Sequence, residues 1–525
     1  MSGTLDRRTL LTGAAALAAS TPIRLNAAPA SSVVRTRAGP VRGTIEDGLH
    51  VFRGLRYGRD TRARRFQAPL APLPWTDVAD ATDFAPSCPQ KGGRIGPTSE
   101  DCLFLNVWTP GPHAGARRPV MLYIHGGAYS TGSVVTPLND GRHLAAKGDV
   151  VVVAVNHRLN ALGYLYLARL DPRFPDSGNV GQLDLILALH WVRDNIAAFG
   201  GDPNCVMVFG QSGGGAKIAT LMGTPLAKGL FHRATTMSGQ QVTASGPMNA
   251  TARTQAYLKR LGLGPSELDR LIDLPVERLI DGLDADDPIL ASGGVYFGPV
   301  LDQRILLRHP FYPDANPQGL GIPMMLGNMH DETRAFIPET SKAVQGLTWD
   351  NLPDRLAPEL RIDILPEYVV QRYRALFPTY SPLQVFYAAT TAGRSWRGQV
   401  IEAEERAKAG APAYVYQVDY VSPQNPAHGT PHTMDIPLSF GTIDAPGSLT
   451  GTGPEARAAS AHVMGAFIAF ARAGDPNHSG LPHWPKYDLK ARSTMVFNVA
   501  SRVVNDPRRA ERLLFAEVPY IQPGT

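Results

Sequence analysis

The sequence predicts an α/β protein with a large, mostly parallel central sheet and helices on both faces. Apolar runs alternate with helical stretches through the middle third of the chain, which is the pattern of such a sheet. The runs at residues 119–124 and 150–155 are continuously apolar, as expected of strands that are covered on both sides. A strand–turn–helix segment at residues 205–219 completes the prediction, and we expect the rest of the chain to be arranged around it.

The other elements are predicted from local patterns. An alternation of apolar and polar residues near the beginning predicts a peripheral hairpin with strands at residues 36–41 and 49–54. Residues 184–199 carry apolar side chains at helical spacing and run into Gly200 and Gly201, which predicts a helix that ends there. Further strands are predicted at residues 323–327, 413–418 and 494–497.

The first thirty residues resemble a twin-arginine export signal. Arg7 and Arg8 precede an apolar run at residues 10–19, and Ala28 and Ala30 offer a small-residue cleavage site. The run is about ten residues long, too short to span a bilayer, and no later stretch is long and apolar enough to do so. We therefore expect an exported mature protein, periplasmic or secreted. The alternative is a buried N-terminal helix.

Composition and charge narrow the class of protein. The 525 residues are 43% hydrophobic and 18% charged, which is typical of a globular protein and not of a disordered or fibrous one. The net charge is +5, and the predicted signal accounts for +2 of it. With no arginine stripe or aromatic platform, this balance argues against nucleic-acid binding. Because there is no internal repeat or linker, residues 31–525 are predicted to form one domain.

The chain has three cysteines, Cys88, Cys102 and Cys205. An exported protein can pair two of them. Cys88 and Cys102 would close a loop of about fifteen residues, worth roughly 3 kcal/mol on the chain-entropy model. Cys205 begins the predicted strand and is expected to be an inert core thiol.

The strand–turn–helix segment contains the pattern Gly210-x-Ser212-x-Gly214, which forces a serine out on a tight bend. Flanking glycines are needed because neighbouring backbone comes close and the bend strains the serine. The helix that follows directs its free N–H groups at the same point. The pattern alone is weak, because turns commonly use glycine and serine, so a turn without chemistry is the alternative.

Six stretches together carry a resemblance to a known family. They are EDCLFLNVW at 100–108, GNVGQLD at 178–184, NIAAFGGDP at 195–203, GQSGGG at 210–215, FGPVLD at 297–302 and FARAGDPN at 470–477. In this order they resemble the type-B carboxylesterases, which include bacterial para-nitrobenzyl esterases and the cholinesterases. The resemblance covers about residues 33–497. It implies an α/β-hydrolase fold, with excursions that form the substrate pocket, and ester hydrolysis without a cofactor or metal.

The resemblance implies a catalytic triad in the chain order nucleophile, acid, base. Ser212 is then the nucleophile. The family's acid lies in a D-E-G segment after a strand, and residues 325–332 match that context. Glu332 is therefore the predicted acid, with Asp331 as its rival. Thr333 stands where the family has the glycine.

The family's base lies in an H-G-x-[DE]-[IL] pattern. His432 begins a matching stretch in this chain, HTMDI, in which Thr433 replaces the glycine. His432 is therefore the predicted base, and His428 is the second candidate. His330 is expected at most to line the site.

The resemblance also implies an oxyanion hole made of backbone N–H groups. His125-Gly126-Gly127-Ala128 matches the family's G-G-G-F region after a strand. The predicted donors are the N–H groups of Gly127, Ala128 and Gly213. His125 and Gly126 are expected to be pocket neighbours.

Two departures from the family bear on the substrate. Gln211 replaces a glutamate beside the nucleophile, so a negative charge is lost from the pocket. The Cys88–Cys102 loop contains no aromatic residue but holds Lys91 and Arg94, whereas in cholinesterases it carries a tryptophan that binds the choline cation. We therefore expect a neutral or anionic ester and not a choline ester.

The sequence thus predicts a serine carboxylic ester hydrolase that acts on a small-molecule ester through an acyl-enzyme. An acyltransferase or amidase with the same triad is one alternative. A non-catalytic esterase-like binding protein is another, although such proteins typically lack part of the triad. Substrate preference is expected to depend on the poorly matched residues 239–292 and 339–392. The oligomeric state is left open.

Overall fold

The computed structural model of the chain describes residues 31–92, 96–290 and 293–520, together with residues 522 and 524. The export signal predicted for residues 1–30 lies outside these described residues. The single domain predicted for residues 31–525 stays a prediction. In the described part of the chain, no helix is long and apolar enough to cross a membrane.

One sheet of thirteen strands organises the described part of the chain. The strands are β1 Ser31–Arg35, β2 Pro40–Glu46, β3 Leu49–Arg56, β4 Ala79–Asp80, β5 Phe104–Thr109, β6 Arg118–Ile124, β7 Val151–Val155, β8 Gly201–Gln211, β9 Arg233–Met237, β10 Met324–Met329, β11 Ala413–Val418, β12 Ser493–Phe497 and β13 Arg502–Asn505. Their order is β1-β2-β3-β5-β7-β6-β8-β9-β10-β11-β12-β13, with β4 beside β2. Every pairing from β7 to β12 is parallel, and antiparallel strands extend both edges. The predicted α/β class with a mostly parallel sheet is confirmed.

Helices pack on both faces of this sheet. They are α1 Arg142–Gly148, α2 Asn160–Tyr164, α3 Val180–Asn195, α4 Gly213–Met222, α5 Pro247–Leu261, α6 Leu268–Asp273, α7 Val276–Asp281, α8 Leu352–Leu360, α9 Pro366–Leu376, α10 Pro382–Thr391, α11 Arg397–Lys408, α12 Asp435–Phe440, α13 Pro454–Ala473 and α14 Arg509–Phe515. Successive side chains of a strand point to opposite faces, so β6 contributes Val120 and Leu122 to one core with α3 and α4. It contributes Met121 and Tyr123 to a second core with α1, α12 and α13.

The N-terminal hairpin is a correction to the prediction. The first predicted strand, at residues 36–41, is wrong over residues 36–39, because the hydroxyl of Thr36 donates to the carbonyl of Gly39 at 2.7 Å and closes a turn between β1 and β2. Pro40 then begins β2, the position in a strand where a missing N–H is tolerated. The predicted helix at 184–199 is also longer at its start, since α3 begins at Val180.

Helical excursions lie between the last parallel strands. Residues between β10 and β11 form α8 to α11, and they have a hydrophobic core of their own that includes Leu356, Tyr373 and Phe386. The carboxyl ends of β8, β10 and β11 meet at the edge of the sheet beneath this excursion. In open parallel sheets that edge is where ligands bind.

Candidate active site

Ser212 lies on a sharp bend between the end of β8 and the start of α4. Its φ is 55° and its ψ is −124°, a conformation that a residue with a side chain rarely adopts unless its surroundings impose it. A Cβ on Gly210 would lie 2.7 Å from the Gly214 carbonyl carbon, and one on Gly214 would lie 2.0 Å from the Ile124 oxygen. Both glycines are therefore needed for the bend to pack against β6.

Glu332 and His432 form a buried pair. Glu332 follows β10 and His432 precedes α12, and their exposed fractions are 0% and 4%. One carboxylate oxygen of Glu332 bonds to Nδ1 of His432, and the other accepts from the backbone N–H of Met329 at 2.8 Å and the amide of Asn328 at 3.1 Å. Burial alone would raise the pKa of Glu332, but the charge and hydrogen bond of the His432 imidazole, with the N–H of Met329, hold the pKa below its ordinary value.

The rival residues lie elsewhere. The carboxylate of Asp331 accepts from the N–H of Thr430 at 3.0 Å and contacts Nδ1 of His330 at 3.1 Å. His428 lies in an exposed turn, with its Nδ1 2.9 Å from the side-chain amide of Asn425. The structure therefore brings Glu332 and His432 together, whereas Asp331 binds the backbone of the loop at Thr430.

The side chain of Gln211 contacts the predicted base directly. Its amide nitrogen lies 3.0 Å from Nε2 of His432. Because Nδ1 faces the carboxylate of Glu332, Nε2 is the nitrogen that accepts. Within the described part of the chain, Ser212 makes no hydrogen bond to His432, although both line the same cavity. This contact of Gln211 was not foreseen from the sequence.

The loop after β6 packs against the start of α4, next to Ser212. Gly127 and Ala128 have φ values of 85° and 52°, and a Cβ on Gly213 would lie 2.2 Å from the Ala128 oxygen. The N–H groups of Gly127, Ala128 and Gly213 make no hydrogen bond to any described residue. All three residues line the cavity beside Ser212.

Behind this loop lies a buried lysine for which no sequence pattern predicted a role. Lys217 is fully buried on α4, and its ammonium group donates to the carbonyl of Ala128 at 2.7 Å and to that of His125 at 3.3 Å. Burial lowers the pKa of Lys217 to about 7. The His125 ring stacks on His157 and does not line the cavity, and Gly126 packs against Ser212 from behind. Lys217 therefore ties the loop to the helix that begins at Ser212.

A cavity of about 440 Å³ opens over Ser212, a size suited to a small ester. Its aromatic lining includes Tyr129, Tyr296 and Phe336, and the Phe336 ring lies 4.8 Å from the ring of His432. Arg361 and Arg394 also line it. No pattern in the sequence pointed to these two arginines, because they come from the stretch that matches the family poorly or from just beyond it.

The cysteines and the charged loop differ from expectation. Cys88 and Cys102 are buried side by side as free thiols, and the hydrogen bond to Cys88, together with burial, raises the pKa of the Cys102 thiol. Cys205 is only half-buried and not a core thiol, because the first residues of β8 lie at the rim of the sheet. Lys91 pairs with Asp284 outside the cavity, and Arg94 lies outside the described residues.

Known proteins are similar to this chain in sequence and fold over nearly its whole length. The carboxylesterase family model matches residues 30–516. The para-nitrobenzyl esterase of Bacillus subtilis (strain 168) is 33% identical over 497 residues, 91% of this chain and 97% of that protein. The phenmedipham hydrolase of Pseudarthrobacter oxydans is 33% identical over 480 residues, 87% and 92% of the two chains. The crystal structure of the Geobacillus stearothermophilus carboxylesterase EST55 has a TM-score of 0.83, 35% identity and coverage of 92% and 99%. The predicted α/β-hydrolase fold is thereby confirmed.

Proposed function

The chain belongs to the carboxylesterase family and is a carboxylic ester hydrolase, and from that premise we propose that Ser212, His432 and Glu332 are its catalytic triad. The proposal depends above all on one observation. The carboxylate of Glu332 is hydrogen-bonded to Nδ1 of His432, and His432 lines the same cavity as the strained Ser212.

The triad performs the reaction in two halves. The hydroxyl oxygen of Ser212 attacks the ester carbonyl carbon while its proton passes to Nε2 of His432, and Glu332 stabilises the imidazolium. The bond to the alcohol oxygen then breaks, and the imidazolium gives that oxygen its proton. Water then attacks the acyl carbon while its proton passes to Nε2 of His432, the bond from that carbon to the Ser212 oxygen breaks, and the imidazolium returns its proton to Ser212 as the carboxylic acid leaves. Gln211 must release Nε2 before the hydroxyl engages it, since its amide occupies that nitrogen at 3.0 Å.

The negative oxygen that forms in each half needs preorganised donors. The N–H groups of Gly127, Ala128 and Gly213 serve here, because all three adjoin Ser212 and are not engaged by other described residues. Each such donor lowers the barrier by about 2.7–4 kcal/mol. Ala128 contributes as well as glycine would, since only its backbone is used.

We further propose that the substrate is a neutral or anionic ester and not a choline ester. Among the described residues that line the cavity none is acidic, and Gln211 stands where a glutamate would supply negative charge. Comparing kcat/KM on acetylthiocholine and on neutral nitrophenyl esters tests this. A preference for the choline ester would contradict it.

Export and a Cys88–Cys102 disulfide also remain proposals. The signal-like sequence of residues 1–30 supports export, and the contact between the two buried thiols supports pairing in an oxidising compartment. Alkylation of the protein from a periplasmic or culture fraction, with and without reductant, counts its free thiols by mass. One free thiol before reduction and three after it is the expected result, and three throughout would refute the disulfide.

Replacing the nucleophile tests the central assignment. We expect Ser212→Ala to lose nearly all hydrolysis of 4-nitrophenyl butyrate with an unchanged melting temperature, because the hydroxyl is the attacking group. Ser395→Ala makes the same chemical change in the same cavity and is the matched control, expected to keep most activity. Equal rates for the two variants would refute the assignment.

A further inference from the structure

Two guanidinium groups, those of Arg361 and Arg394, face the catalytic cavity. We propose that they form an anion subsite, so that this hydrolase prefers esters that carry a carboxylate at a distance from the scissile bond, such as half-esters of dicarboxylic acids. The inference rests on the proposed function of Ser212 and narrows its substrate class. Together with Phe336, the two arginines are called the arginine wall below.

Local backbone geometry brings the two side chains together. Arg394 lies in a π-helical turn, Ala392–Trp396, that joins α10 to α11, and such turns occur frequently at functional sites. Arg361 caps the end of α8 in the left-handed conformation, with φ 54°. A Cβ on Gly393 would lie 2.8 Å from the Leu360 oxygen, so the glycine lets the π-helical turn pack against the end of α8.

Contacts direct Arg394 toward the reaction centre. Its guanidinium carbon lies 4.4 Å from the centre of the Phe336 ring, and that ring lies 4.8 Å from the ring of His432. The cation–π contact occupies one face of the guanidinium and leaves its N–H edges for hydrogen bonds. Phe336 thus lies between the predicted base and an anion bound to Arg394.

The positive charge of the arginine wall is only partly neutralised. The nearest carboxylate oxygen to Arg394 belongs to Glu359, 3.9 Å from Nη1, which is a long ion pair. Arg361 makes no ion pair with any described residue. Burial and the charge of Arg361 lower the pKa of Arg394 to about 10, which leaves it charged at neutral pH.

Other carboxylates near the cavity do not cancel this charge. Glu332 is committed to His432. Glu402 accepts from the backbone N–H of Gln241 at 2.7 Å behind the cavity wall, and burial raises its pKa to about 8, so it is mostly protonated at neutral pH. A substrate carboxylate is the natural complement of two guanidiniums that are only partly neutralised, since it accepts their paired N–H donors in a fork.

Matched ester pairs test the proposal. Mono-4-nitrophenyl glutarate and 4-nitrophenyl valerate differ by a carboxylate in place of a methyl group on the acyl side. The pair 4-acetoxybenzoate and 4-acetoxybenzamide makes the comparison on the alcohol side. We expect the anionic member of at least one pair to have the higher kcat/KM, and the pair that responds identifies the side that faces the arginine wall.

Variants assign any such preference to the arginines. Arg394→Gln is expected to lower kcat/KM on the preferred anionic ester about 10- to 100-fold, the range for a charged hydrogen-bond partner, with less than about threefold change on its neutral partner. Arg361→Gln, at an exposed helix end where folding is not at risk, should act in the same direction by about 3- to 10-fold. Arg355→Gln, an exposed arginine of α8 that does not line the cavity, should change neither rate.

Two results would overturn the inference. One is a preference for the neutral ester in both pairs, and the other is an equal effect of the Arg361 variant on anionic and neutral esters. Failure of the proposed function looks different. In that case Ser212→Ala would keep its activity on both kinds of ester, whatever their ratio.

Discussion

The cavity over Ser212 has two walls that are built in different ways. One, the motif wall, consists of Gly127, Ala128, Ser212 and Gly213, and it presents backbone N–H groups and one hydroxyl. The arginine wall presents side chains from a helical excursion with a core of its own. The motif wall tolerates no added atoms, since a Cβ on Gly213 would lie 2.2 Å from the Ala128 oxygen. From this difference we expect that chemistry and substrate choice can be changed separately in this molecule.

The largest expected effect is on chemistry. Glu332→Gln should lower kcat about 10³- to 10⁴-fold on every ester, because an amide cannot stabilise the imidazolium and favours the wrong tautomer of His432. Steady-state kinetics on an anionic and a neutral ester measure it. Asp331→Asn is the neighbouring control and should cost less than about tenfold, a loss from loop order only. Similar losses for both variants would refute the choice of acid.

Lys217→Met tests whether the motif wall needs support from behind. The buried ammonium is the donor to the carbonyls of Ala128 and His125, and its loss leaves both without that partner, so the loop relaxes. We expect kcat to fall about tenfold on anionic and neutral esters alike. The exposed Lys228→Met is the control. A change in the ratio between the two ester kinds would mean that the walls are not separable.

Gln211→Glu tests the charge of the cavity, because Gln211 directly precedes Ser212 and lines the cavity with it. A carboxylate at this position adds negative charge to the cavity and repels a substrate anion. The ratio of kcat/KM on the anionic ester to kcat/KM on the neutral ester should fall about 3- to 10-fold, whatever the new carboxylate does to both rates through its contact with His432. Measuring both rates at low and moderate salt checks it. An increased anionic preference would contradict the charge argument.

The last expected effect is on stability and not on rate, at a buried carboxyl behind the cavity. Burial raises the pKa of Glu402 from 4.5 to about 8, so the folded state holds this proton more tightly than the unfolded state does. Its contribution to stability is complete below pH 4.5 and is lost as the pH rises through 8, by at most about 1.4 kcal/mol per pH unit. The melting temperature of Glu402→Gln should therefore decrease less between pH 5 and pH 8 than that of the parent protein. Glu367 is exposed, so Glu367→Gln should show the same pH dependence of the melting temperature as the parent. The same pH dependence in Glu402→Gln would refute the raised pKa of Glu402.

The residues of the motif wall could be predicted from the sequence, whereas those of the arginine wall could not. Ser212 was predicted from a local pattern, because a serine on a tight bend needs glycines at fixed spacing. Gly127 and Gly213 were predicted as oxyanion donors only through the family resemblance. Glu332 and His432, 100 residues apart, were found only through the family resemblance, since no local pattern links residues on separate strands.

The arginine wall was not predictable for a physical reason. Arg361 and Arg394 meet through a helix end and a π-helical turn, and neither arginine differs in sequence from one on a solvated helix. Lys217 was missed likewise, because a lysine on a helix is normally exposed. The strand predicted at residues 36–41 is wrong over residues 36–39, because the Thr36–Gly39 turn depends on a hydroxyl contact and not on hydrophobic alternation.

Covalent labelling tests the central claim most directly. A 4-nitrophenyl alkylphosphonate mimics the ester, transfers its phosphonyl group to the attacking oxygen and releases one nitrophenolate. We expect one equivalent of nitrophenolate per chain, complete loss of esterase activity, and a mass adduct on the peptide that contains Ser212. Loss of activity with the adduct on any other residue, or full activity in a chain labelled at Ser212, would contradict it.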